Sequence, residues 1–292
     1  MKRIIKQLLF APISIPNKLV KRTNWYKNLF SLDKNNYPSN VWYREHEERN
    51  FDVVNVGSSS ALYAFDYTEE PVKAFNWAAQ PQSLEYSFRI LKNYFSILRH
   101  GGTVIIPFSP FSALSVHGKW RESAYFKYIG ILDHTLIDNY PQMARKVNYP
   151  ILFMPKVAIK RIIKDVPLLR PQDYQVQLTS AAQFESDAKR WIDSWCKEFG
   201  IKDLDAPLSV ENLAGRRERL AETQKMLDFC YERNLRPVLV MTPMHPSLAC
   251  EFSKTFRENY IHSFIKELKG DNLKFMDYMD DERFTKDEYF IN

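Results

Sequence analysis

Along the chain the hydrophobic positions change period in a way that predicts strands alternating with helices. Phe51-Asp-Val-Val-Asn-Val56 is a short apolar run ending at Gly57, the pattern of a buried strand, and Val72–Trp77 predicts a second short strand. From Ser83 to Leu98 the apolar residues Leu84, Phe88, Leu91, Phe95 and Leu98 recur every three or four positions, which predicts a helix. His100-Gly101-Gly102 is expected to close it, since glycine accepts the left-handed backbone of a C-terminal cap. Thr103–Phe108 reads as the next strand. The stretch 109–209 is irregular, with a basic helix predicted over Val157–Lys164 and another helix over Ala181–Phe199. Regular order then returns: an amphipathic helix over Val210–Asn234, a strand over Pro237–Met241, a helix over Ser247–Leu268 and a strand over Leu273–Met276.

Such alternation implies an α/β fold, a mostly parallel sheet covered by helices on both faces. Three segments are expected: an N-terminal arm (1–50), a core made of 51–108 and 210–292, and an insertion at 109–209. The insertion leaves the carboxyl end of the strand at Val104–Phe108, the side on which open α/β sheets bind ligands. It is therefore placed to build a pocket or lid, or else a partner surface.

Charge changes this picture only at one end. Residues 1–34 hold eight basic side chains against Asp33 alone, a balance of +7, which leaves −1 of the total +6 for the rest of the chain. A near-neutral body with no RNA-binding or zinc-finger spacing argues against nucleic acid as partner. The apolar stretch Leu8–Ile15 is broken by Pro12 and Pro16 and lacks a small-residue cleavage site, so it reads as retained and not as a signal peptide. It is also shorter than the roughly 20 apolar residues that span a bilayer. Two readings of residues 1–34 remain, peripheral contact with an anionic membrane surface and packing on the domain with a solvated basic face. Cys196, Cys230 and Cys250 are widely spaced and odd in number, which fits a reducing, cytoplasmic compartment, with Cys230 expected as a core thiol. No HExxH, Walker loop or GxGxxG is present, so neither a metal nor a cofactor is expected.

The candidate chemistry lies in Val53-Val-Asn-Val-Gly-Ser-Ser-Ser-Ala61. A buried strand runs into a glycine that permits a sharp turn, and serine hydroxyls follow at the start of a helix. There they either cap the helix or meet a substrate beside backbone N–H groups. Strand-Gly57-Ser58-Ser59 resembles the first block of SGNH/GDSL hydrolases, whose nucleophile falls on Ser59. Asn76-Trp-Ala-Ala-Gln-Pro-Gln-Ser-Leu84 is similar to the second block of SGNH-like proteins linked to bacterial surface and capsular polysaccharide. The resemblance implies a three-layer, flavodoxin-like (SGNH) fold. It places Gly57, Ser58, Asn76 and Ala79 around the oxyanion or substrate, with Ser109 standing where the third block supplies Asn.

Family members close with Asp-x-x-His, whose His is the general base. One alignment puts Asp287 at the Asp and Phe290 at the His; in another the closing block begins at or beyond Asn292. A substitute base is then His245, just past the strand Pro237–Met241, where the other reading is an exposed loop histidine. His134 beside Asp133 is a second such candidate, and Asp280-Asp281-Glu282 reads as a solvated turn. Two functions follow from the resemblance. The first is an esterase or O-acyltransferase acting on a carbohydrate ester, with Ser59, His245 and Asp287 catalytic. The second is a catalytically degenerate SGNH-like domain that binds an acylated glycan or a membrane-associated polysaccharide-assembly partner, in the cytoplasm or at the inner membrane.

Overall fold

A computed structural model describes residues 14–30, 50–114, 122–165, 181–270 and 273–290. The first elements in chain order are α1 (Asn24–Phe30), β1 (Phe51–Asn55), α2 (Ser59–Ala64), β2 (Ala74–Asn76), α3 (Leu84–Tyr94), β3 (Leu98–Phe108) and α4 (Tyr140–Asn148). There follow α5 (Pro155–Asp165), α6 (Ala181–Phe199), α7 (Val210–Tyr231), β4 (Arg236–Met241), α8 and β5 (Lys274–Asp277). The helix α8 runs from Lys254–Phe256 through a π-helical turn, Arg257–His262, into Ser263–Glu267.

The chain divides into two compact units, Met1–Glu47 with Trp120–Tyr174 and Glu48–Lys119 with Gln175–Asn292. These units combine the three segments expected from the sequence differently. Residues 14–30 pack with part of the 109–209 stretch: Val20 and Thr23 are buried, Asn17 donates to the Asn148 carbonyl (2.8 Å), and Tyr26 donates to that of Val147 (3.1 Å). α6, from the same stretch, belongs with the sheet. Residues 1–13 and 31–34 of the basic segment lie outside the described residues. Among the described residues no helix is long and apolar enough to cross a membrane.

The sheet unit carries five parallel strands in the order β2-β1-β3-β4-β5. Its central strands are apolar because both faces are covered: Val54, Val104, Ile106 and Leu239 are fully or almost fully buried. With right-handed crossovers this order places α3, α7 and α8 over one face and α2 over the other. Contacts along the first layer agree, since Phe88 of α3 meets Phe229 of α7 edge-on (5.5 Å) and Arg216 of α7 pairs with Glu267 of α8 (2.7 Å). Ser83 and Ser209 start α3 and α7 as N-caps, accepting from the N–H groups of Tyr86 and Asn212.

Three helix expectations are corrected. The helix from Ser83 ends at Tyr94, because Leu98 pairs with Phe51 and begins β3, so His100-Gly101-Gly102 lies inside a strand. There β3 bulges, carrying Arg99–Gly102 across a step where β1 carries Asp52 alone. Gly101 sits at φ +73, and a Cβ on Gly102 would lie 3.0 Å from the Arg99 carbonyl. The helix expected over Ser247–Leu268 is broken between Ala249 and Lys254, since Ser253 accepts from Phe256 N–H as a fresh N-cap while donating to Asp205. α7 is apolar on its buried side only in its second half (Met226, Leu227, Cys230). In the first half Asn212, Gly215, Arg219 and Thr223 turn inward, Arg219 held by Glu222 (2.8 Å).

Candidate active site

Sequence order reverses in the sheet between β1 and β3, and there the connections leaving the two strands run in opposite directions, opening a crevice at their carboxyl ends. The chain leaving β1 into that crevice is the Gly57-Ser58-Ser59 turn. Parallel pairing continues past the ends of β1 and β2: Val56 N–H donates to Ile105, Trp77 N–H to Asn55 and Ala79 N–H to Gly57. Gly57 then turns at φ +128, where a Cβ would sit 2.7 Å from Ala61 Cβ and 3.1 Å from Pro107 Cγ, so only glycine fits.

Ser58 is the N-cap residue of α2 without capping it; its hydroxyl accepts from Gln82 N–H (3.3 Å). Ser59 opens α2 and is partly exposed, and among the described residues no hydrogen bond engages its hydroxyl.

Beneath this turn lies a polar network that the sequence reading only half detected. Asn76 donates through Nδ2 to the carbonyls of Ala61, Leu62 and Phe65 (3.3, 3.2 and 3.0 Å) and accepts through Oδ1 from Asn55 Nδ2 and Ala78 N–H (2.8 and 2.9 Å). Tyr67 donates to Asn55 Oδ1 (3.1 Å), its phenol pushed up by burial. Asn76 therefore has no donor left for a substrate, and its amide clamps the end of α2 against β2. Asn55 was missed as a participant, although a polar residue set between Val54 and Val56 is itself a signal of a buried partner.

The other expected oxyanion groups are likewise engaged. Ala79 N–H is bonded to the Gly57 carbonyl (3.1 Å). At the end of β3, Ser109 is exposed, its N–H bonded to Ser112 Oγ (2.8 Å) and its hydroxyl 2.9 Å from the same oxygen.

The second cluster lies beyond β4 and joins two residues singled out 42 positions apart: His245 Nε2 stands 3.1 Å from Asp287 Oδ1. His245 is no free loop histidine. Its side chain is only 13% exposed, stacked on Phe184 of α6 (4.0 Å between centroids, planes 9° apart) and met edge-on by Phe290 (5.3 Å). Its Nδ1 accepts from Ser247 N–H (3.2 Å), capping the short turn Pro246–Ala249. A neutral imidazole has one donor and one acceptor nitrogen. With Nδ1 facing a backbone donor, the proton sits on Nε2 and is given to Asp287, so both nitrogens are occupied. A serine base must turn its lone-pair nitrogen toward the hydroxyl. Among the described residues no hydrogen bond links Ser59 to His245 or Asp287, and the two side chains leave strands two spacings apart, about 10 Å.

His134 is exposed and lies 3.6 Å from Asp133 in the other unit. Asp280 and Asp281 are not merely solvated: Asp280 pairs with Arg257 and Asp281 with Arg283, which holds the Asp281 carboxyl down to about 2. Among the described residues no three His, Cys, Asp or Glu side chains converge as metal ligands. No family model, curated protein or solved structure matches the chain.

Proposed function

We propose that the sheet unit is an SGNH-like domain that binds an acylated carbohydrate at the carboxyl ends of β1 and β3 without cleaving it. The strand order 2-1-3-4-5, shared with flavodoxin-like folds, and the serine turn at the order-reversing crevice support the fold assignment. One observation carries the non-hydrolytic reading: the lone-pair nitrogen of His245 is bonded to Ser247 N–H. Among the described residues no hydrogen bond then joins Ser59 to a base, and a neutral hydroxyl is a weak nucleophile. The Ala79 N–H, which the resemblance assigns to the oxyanion, is satisfied within the fold, and the hydroxyl of Ser109, which stands where the third block supplies Asn, lies 2.9 Å from Ser112 Oγ. The resemblance sets the binding in assembly of a bacterial surface polysaccharide, in the cytoplasm or at the inner membrane.

A second reading, the carbohydrate esterase or O-acyltransferase, is favoured by the His245–Asp287 pair, a base-and-orienter couple of the kind a serine nucleophile requires. Calorimetric titration with a panel of O-acetylated oligosaccharides, with acetate release followed in parallel, separates the two. Binding that survives Ser59→Ala with no acetate released is the expected result. Acetate release abolished by Ser59→Ala establishes the second reading, and absence of binding across the panel overturns the first.

A further inference from the structure

The other unit carries a surface that the crevice reading leaves unused. Within fifteen consecutive residues, six large apolar side chains stand in solvent: Tyr149 (51% exposed), Leu152 (47%), Phe153 (45%), Val157 (42%), Ile159 (51%) and Ile163 (69%). Isolated exposed apolar residues need no explanation, but six within one short segment suit a docking surface. α5 shows how the run is presented. Ala158 is fully buried and Ile162 partly so, seating one side of the helix on its unit. On the outward side Ile159 and Ile163 lie one turn apart, beside a row formed by Lys156, Lys160 and Lys164 at the same spacing. None of these lysines, nor Arg161, forms an ion pair among the described residues, and Asp165 is the only acidic residue between 149 and 165.

We propose that the segment 149–164 docks on an anionic lipid surface, its isoleucines and Phe153 entering the acyl boundary while the lysines reach the headgroups. The chemistry favours this occupant over the alternatives. Long lysine stems let the charge stay at the headgroups while the neighbouring isoleucines sink, as in helices that lie in a membrane interface. A nucleic acid would meet the cations but gain nothing from branched aliphatic side chains placed against phosphate. A second copy of the chain would bring an identical row of cations against this one. The surface lies wholly in one unit, so this inference stands apart from the fate of Ser59.

Co-sedimentation of the full chain with large vesicles of phosphatidylcholine, with and without phosphatidylglycerol, tests it. Binding is expected only with phosphatidylglycerol, and it should weaken as salt rises. Lys156→Gln/Lys160→Gln/Lys164→Gln should lower the partition coefficient roughly 100-fold. Ile159→Ser/Ile163→Ser should lower it by about tenfold or more. All five positions are exposed or solvent-facing, and circular-dichroism melts matching the wild type confirm that folding is unchanged. Vesicle binding unaltered in both variants overturns the proposal, as does failure to pellet at low salt. Binding to heparin that is insensitive to the isoleucine changes, without vesicle binding, assigns the surface to a soluble polyanion and also overturns it. So does a concentration-dependent dimer in sedimentation velocity that Ile159→Ser/Ile163→Ser abolishes.

Discussion

Asn76→Asp changes a single side-chain atom in the buried network beneath the serine turn, which makes its cost calculable. The Nδ2 group donates to three carbonyl oxygens at 3.0–3.3 Å, while Oδ1 keeps its own two donors after the substitution. Protonated, the new carboxyl offers one O–H where two N–H groups stood, leaving buried carbonyl capacity unmet at about 1–3 kcal/mol. Ionised, it places a charge against three carbonyl oxygens in a buried site, and the penalty approaches the ~3–5 kcal/mol of an uncompensated buried charge. Since a domain of this kind is stable by about 5–15 kcal/mol, the variant should remain folded but visibly weakened. The pH dependence follows from sign. Burial and carbonyl oxygens raise the folded-state pKa of the introduced carboxyl above the ~3.9 of an unfolded aspartate, so between those values the native state holds a proton the unfolded chain has released. Stability relative to wild type therefore falls as pH rises through that window. Urea unfolding followed by circular dichroism at about pH 5 and about pH 8, with wild type and Asn76→Ala as references, measures it. A deficit below about 1 kcal/mol, or one that does not grow with pH, refutes the assignment of Asn76 as the clamp holding α2 against β2.

Other positions give independent checks. Gly57→Ala should cost about 3 kcal/mol or more in chemical denaturation, because its Cβ meets Ala61 at 2.7 Å and the backbone sits at φ +128; a near-neutral effect contradicts the turn geometry. Ser59→Ala should leave stability within about 0.5 kcal/mol, as among the described residues no bond to its hydroxyl is lost; a large loss would reveal a structural partner. Toward a thiol reagent Cys250, exposed, should react first, while Cys230, buried and pushed up to about 12, should react only on unfolding. A fast phase persisting in Cys250→Ser overturns that order. Burial brings the Lys127 ammonium down to about 7. Between there and the ~10.4 of an unfolded lysine the unfolded chain binds the extra proton, so stability rises with pH across that window. Lys127→Met should remove this slope from the thermal melting profile, and parallel profiles for the two proteins would contradict it.

What the sequence made legible is what short-range pattern can carry. The short apolar runs of β1 and β4 announced buried strands, and the helix expected over Ala181–Phe199 is α6. Gly101-Gly102 misled because a helix C-cap and a strand bulge ask for the same residue, and only the pairing of Leu98 with Phe51 decides between them. The break before Lys254 depends on Ser253 meeting Asp205 across 48 residues, which no local period encodes. At the candidate site Gly57, Ser59 and His245 were visible as residues of the right type just past strand ends, and Asp287 only through the closing block that the resemblance implies. Their relations were not. That His245 finds Asp287 follows from the fold, and that its other nitrogen faces Ser247 follows from the Pro246 turn it caps. The stacking partner Phe184 gave no signal, lying 61 residues from the histidine it covers.

The central claim is that Ser59 sits in the crevice unactivated because His245 has no nitrogen free to serve it. Treatment of the purified full chain with a fluorophosphonate serine probe, beside Ser59→Ala and His245→Gln, addresses this most directly. The account predicts no labelling above that of Ser59→Ala in well-folded protein. Labelling that vanishes in both variants would show His245 acting as the base, and the crevice would then be that of a working hydrolase.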